Sequence, residues 1–148
     1  KTISMVNVQE EVEKMDVLLL MVTERFHYKL DWNFFELLHE IYFPSKAEDL
    51  NYTYTTKILQ DYQWFDLVVA DAQNREVELE VAIKDHVDYQ IWKDEQDGKL
   101  EKNASYYLYK IKKDQAWLAK IAAKAKTNGI STEKQLLLDA QWLVNNPQ

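Results

Sequence analysis

The sequence contains no cysteine and, among 148 residues, only two glycines, two prolines and three histidines. Absent cysteine excludes disulfides, thiolate metal sites and thiol nucleophiles. With only Gly98 and Gly129 there is no glycine-rich phosphate loop, no Gly-x-Gly-x-x-Gly and no Gly-x-Ser-x-Gly elbow, which removes the common nucleotide-dependent enzymes. The longest nearly apolar run, Val17 to Val22, is far shorter than the ~20 residues a spanning helix needs. His27, His39 and His86 lack partners at the spacing that brings two ligands to one helix face, so surface or capping roles are expected for them. His39 adjoins Glu40, however, and His86 lies between Asp85 and Asp88, so a composite site could assemble only through the fold.

What is present suits a folded protein. Apolar residues make up 47% of the chain, with five Trp, nine Tyr and five Phe, enough for one domain over residues 1–148 to bury a core without staples. Few glycines and prolines mean few loops, so most residues belong in regular elements. The chain begins at Lys1 rather than Met, consistent with a processed product or a piece of a longer chain. A soluble protein is expected, cytoplasmic or exported after loss of a leader. Charge is uneven: residues 1–100 carry 10 Lys and Arg against 21 Asp and Glu, and residues 101–148 carry 8 against 4. A net charge of −7 opposes general affinity for nucleic-acid phosphates.

Residues 8–27 read as an amphipathic helix, with Val8, Val12, Met15, Leu19, Val22 and Phe26 at helical spacing. Asp31 is placed to cap a second helix reaching Tyr42, which Pro44 ends, and Ser45-Lys-Ala-Glu48 has the spacing of a capping box. Residues 50–61 and 104–111 fit either helix or strand. Asp94–Lys99 is a turn with Gly98 at positive φ. The tail reads as a helical hairpin: Asp114 caps a helix carrying Trp117, Leu118 and Ile121, Asn128-Gly129 stops it, and Ser131 or Thr132 caps a last helix with Leu136, Leu137, Ala140, Trp142 and Leu143.

The centre of the chain alternates. Val77, Leu79, Val81 and Ile83 fall on one side and Glu76, Glu78, Glu80 and Lys84 on the other, while Phe65, Leu67 and Val69 leave Asp66 on the matching polar side. Side chains alternate across a strand with period two, so the pattern predicts a β-hairpin with its tip at Ala72–Arg75 and a bulge near Asp85-His86. Asp66 then faces Glu78 or Glu80, and such a pair needs either solvent or a cation between its members. A helix followed by strands bearing Asp66 and Glu80 resembles the PD-(D/E)xK nuclease superfamily. That resemblance implies an α-β-β-β-α-β core over roughly residues 8–111 and a divalent metal held by these carboxylates. Ala82 stands where the family has its catalytic lysine and Phe65 where it often has proline, with Lys84 one pleat further along the same face.

The expected fold is therefore α+β: one domain, a small antiparallel or mixed sheet, N-terminal helices and a C-terminal helical hairpin. The expected function is a non-catalytic, acidic interaction protein of inhibitor or immunity type. It would recognise a protein partner through Asp66, Glu76, Glu78, Glu80 and Lys84, with no catalytic residue, metal or cofactor assigned, because a clustered negative face steers a basic partner. The metal-dependent nuclease is the alternative, the one reading that brings nucleic acid as a partner. A third is a small-ligand binder with an aromatic pocket. Aromatics around the second helix and at Tyr106, Tyr107 and Tyr109 belong mostly to the core, although Tyr107, Tyr109, Lys110, Lys112 and Lys113 interleave as on single-strand-binding surfaces. Asn51-Tyr-Thr53 and Asn103-Ala-Ser105 satisfy the glycosylation triplet.

Overall fold

A computed structural model describes residues 5–20, 22–23 and 32–147. Within them the chain forms helices α1 (Met5–Leu20), α2 (Trp32–Tyr42), α3 (Leu50–Gln60), α4 (Tyr62–Arg75), α5 (Leu79–Gln96), α6 (Ala104–Lys113), α7 (Gln115–Asn128) and α8 (Thr132–Asn145), and no strand. The expected α+β fold is thus corrected to all-α. Residues 24–27 of the first expected helix, the Asp31 cap and His27 lie outside the described residues.

The expected β-hairpin is α4 and α5. Its buried residues are Phe65, Val68, Val69 and Ala72 on α4, then Leu79, Ala82, Ile83 and Val87 on α5. These recur at three and four, the period of a helix face. Two residues that the strand pattern would bury stand out in solvent: Leu67 is 66% exposed and Val81 42%. The local chemistry agrees with helix, since Ala, Glu, Lys and Gln are good helix formers and poor strand formers. Asp61 starts α4 by accepting a 3.2 Å hydrogen bond from the Trp64 backbone N–H. Glu76 ends it in the left-handed region at φ 54°, its N–H turned back to the end of the helix. Both ambiguous segments are helical, as α3 and α6. The expected Ser45–Glu48 capping box does not form; Ser45 bonds Glu40, and Asp49 caps α3 through the Tyr52 N–H at 2.9 Å.

Contacts divide the chain into two compact units, Lys1–Ser45 with Thr55–Val87, and Lys46–Tyr54 with Asp88–Gln148. In the first, the fully buried rings of Phe34 and Phe65 stack with centroids 6.2 Å apart, and Leu18, Leu38, Ile58 and Ile83 are also fully buried. In the second, α6, α7 and α8 close around Leu108, Ile111, Ile121, Leu136 and Ala140, with Tyr107, Trp117, Leu118 and Leu143 packed against them. The start of α3 joins this second core, where Ser105 donates to the Glu48 carbonyl at 3.0 Å and the Tyr54 hydroxyl to Asp94 at 2.6 Å. Burial and the Asp94 acceptor hold the Tyr54 phenol well above its ordinary pKa.

The tail hairpin is built by its caps. Asp114 accepts from Trp117 N–H at 3.1 Å, Gly129 stops α7 at φ 67°, and Ser131 accepts from Lys134 N–H at 3.1 Å. Between the helices the buried amide of Gln135 accepts from Asn128 at 3.0 Å and donates to Asp139 at 2.7 Å.

Urea unfolding checks this assignment. Asp114→Ala should cost about 1 kcal/mol as a lost cap, Gly129→Ala about 1 kcal/mol through left-handed strain, and Leu108→Ala about 2–5 kcal/mol through a cavity. A Gly129→Ala protein as stable as wild type would contradict the left-handed stop.

Candidate functional site

The five expected site residues are spread over α4, the turn after it and α5. Glu76 and Glu78 lie in the turn between α4 and α5, Glu80 in the first turn of α5, and Lys84 one turn further on, exposed. A carboxylate in the first turn of a helix is stabilised by the unpaired N–H groups there, so Glu80 has a structural reason for its position. Asp66 sits half-buried near the start of α4. Along the hairpin, Asp71 of α4 meets His86 of α5. The sheet core that the nuclease resemblance implies is not formed among the described residues. Among the described residues no three His, Asp or Glu side chains are grouped to hold a metal ion.

What α4 and α5 build instead is a polar chain. Arg75 donates to Asp71 at 3.0 Å and to Asp85 at 2.7 Å; Asp71 also meets His86 Nε2 at 3.3 Å, and Trp64 Nε1 donates to His86 Nδ1 at 3.4 Å. Because Nδ1 accepts, the neutral ring carries its proton on Nε2, facing Asp71. Both imidazole nitrogens are engaged, so His86 ties α4 to α5. The Asp85 and Asp71 hydrogen bonds raise the Arg75 pKa above its ordinary value, which keeps the guanidinium charged throughout.

The tyrosine–lysine surface is also internally matched. Lys110 pairs with Glu95 at 2.9 Å and Lys113 with Asp88 at 3.1 Å, while Tyr106 and Tyr109 donate to the same two carboxylates. Lys112 stands between Asp49 at 3.6 Å and Glu133 at 3.8 Å. Each lysine of the interleaved run thus has a carboxylate in its own unit, which leaves little net charge there for a nucleic-acid backbone. Asn103 of the second glycosylation triplet spends its side chain capping α6.

An open groove lies between α7 and α8. It holds about 450 Å³ and is lined by Trp117, Lys124, Leu138, Asp139, Trp142 and Leu143. Trp142 is 57% and Leu138 53% exposed, while Trp117 and Leu143 are half-buried, so the floor is anchored in the core and the walls face solvent. Lys124 closes over Asp139 at 3.1 and 3.3 Å, and Gln135 binds the same carboxylate from below. The sequence places Trp117 on the first tail helix and Trp142 and Leu143 on the last, without marking a groove between them. The signal for one is that Leu136-Leu-Leu138 and Trp142 give α8 more apolar width than a helical hairpin can bury. A second pocket of about 440 Å³, lined by Trp32, Phe35, Glu36, His39 and Glu40, lies on α2, where Trp32 stacks 5.2 Å from Phe35.

No helix among the described residues is long and apolar enough to cross a membrane. Comparison with protein-family models, with curated proteins and with solved structures finds no match to this chain.

The Lys110–Glu95 pair has a pH signature. The Lys110 hydrogen bond, helped by Tyr106, outweighs burial and lowers the Glu95 pKa. A carboxyl whose folded pKa is depressed stabilises the fold above its unfolded pKa of ~4.3, and that contribution is lost as pH falls through the folded value. Glu95→Gln should therefore be less stable than wild type at pH 7, by up to about 1 kcal/mol for a partly exposed pair. The difference should shrink as pH falls below about 4.3 and vanish only below the depressed folded value, in urea unfolding at stepped pH. A difference independent of pH would assign the loss to packing instead.

Proposed function

We propose that the protein is a non-catalytic recognition protein that binds a helical segment of another protein in the groove between α7 and α8. The observation that carries this reading is the exposure of Trp142 and Leu138 over a floor fixed by Trp117 and Leu143. Large apolar groups left in contact with water are costly, and contiguous ones mark interaction surfaces. Tryptophan is enriched among the residues that dominate binding energy, because it combines a large rigid contact area with a polar edge. A groove between two antiparallel helices accepts a third helix along its length by the same ridge-and-groove packing that joins the first two. The partner-binding role follows the expectation from sequence; the surface is a different one.

Substitution at the groove tests the role. Trp142→Ala and Leu138→Asp replace exposed side chains, so their urea midpoints should stay close to wild type. A partner captured by the wild-type protein and then purified should bind Trp142→Ala about tenfold more weakly or worse. Unchanged affinity in both variants would remove the groove from the interaction.

A further inference from the structure

Resting on that reading, we infer that the segment the α7–α8 groove receives is acidic: an amphipathic helix whose apolar stripe is flanked by carboxylates. The charge around the apolar floor selects for an acidic segment. The α7 sequence from Gln115 to Asn128 contains Lys120, Lys124 and Lys126 and no acidic residue at all. On a helical wheel Lys120 and Lys124 fall on the same edge as Trp117, since they lie three and seven residues beyond it. On α8, Lys134 precedes Leu138 by four residues and so stands on the outer wall beside it.

The one acid lining the groove does not offset these lysines. Asp139 is 18% exposed and its carboxylate is taken by Lys124 and Gln135. The interaction satisfies Asp139 and cancels one lysine, leaving Lys120 and Lys134 exposed, with no carboxylate partner among the described residues. A helix lying in the groove meets a lysine from α7, another from α8, and apolar contact beneath. That is the complement of an apolar stripe bordered by Glu or Asp.

The same features argue against other anionic partners. A nucleic acid or an anionic bilayer extends far beyond the groove and would meet a chain with net charge −7. A short helix is governed by the charges within about one Debye length of it, roughly 10 Å, and those are the lysines of α7 and α8.

The probe is a synthetic peptide of roughly 18 residues, long enough to hold a helix on docking, with leucine at i, i+3, i+4 and i+7 and glutamate elsewhere. Its counterpart carries lysine in place of glutamate. Each is titrated into the full chain while the five tryptophan indole N–H resonances are followed by NMR, assigned through single Trp→Phe variants. The glutamate peptide should shift Trp117 and Trp142 and spare Trp32, Trp64 and Trp92. Its affinity should fall with added salt and by about tenfold in the double variant Lys120→Glu, Lys134→Glu. Equal shifts from the lysine peptide, or no loss in the double variant, would overturn the acidic assignment while leaving helix docking intact. No shift of Trp117 and Trp142 with either peptide would overturn both. Shifts with phosphatidylserine-containing vesicles in place of the glutamate peptide would make the face a lipid surface, and shifts on simple dilution would make its occupant a second copy of the chain; either outcome overturns the inference.

Discussion

Every helix leaves its first N–H and last C=O groups without intrahelical partners, and this chain must solve that problem many times with almost no glycine or proline. Side chains solve it at the starts. Asp49, Asp61, Asn103, Asp114 and Ser131 each accept from the backbone N–H three residues on. At the ends, a left-handed residue turns the chain. Gly98 and Gly129 fill two such positions, at φ 68° and 67°, and Glu76 fills a third at φ 54°. The helices can follow one another closely because each boundary is satisfied locally: a single residue, Asp61, separates α3 from α4, and Asp114 alone separates α6 from α7.

That constraint also explains where the acidity goes. Asp49, Asp61 and Asp114 cap helices. Asp71 and Asp85 hold Arg75, while Asp88 and Glu95 hold the lysines of α6. A sequence that carries 21 acids in its first 100 residues thus spends many of them inside its own architecture rather than on one open face. The groove lies in the part of the chain where lysines outnumber acids, and its surroundings are correspondingly positive.

The tail was legible because its caps are strong: Asp114 and Asn128-Gly129 each have one reading, and the choice between Ser131 and Thr132 moves the start of the last helix by one residue. The centre was misread for a physical reason. Strand alternation and helical periodicity coincide every four residues, so Phe65 with Val69 and Leu79 with Ile83 satisfy both. Only the residues between them discriminate. Leu67 and Val81 face solvent, while Ala72 and Ala82, small and easily passed over in a hydrophobic pattern, are wholly buried. Asp61 before Tyr62 was the cap that would have tipped the balance. The groove escaped for a related reason: periodicity marks a helix face as apolar without saying whether another helix covers it, and α8 has one apolar face more than the hairpin uses.

Gln135 gives that groove a further property. Its buried amide takes one bond from Asn128 of α7 and gives one to Asp139 of α8, while Lys124 of α7 closes on the same carboxylate. A buried polar group satisfied from both helices tolerates no sliding of one past the other, because any shift in register would strand it unpaired. The walls that carry Trp117 and Trp142 are therefore set before anything arrives. A segment docking there orders itself rather than its receptor, and the conformational entropy of association falls mainly on one side.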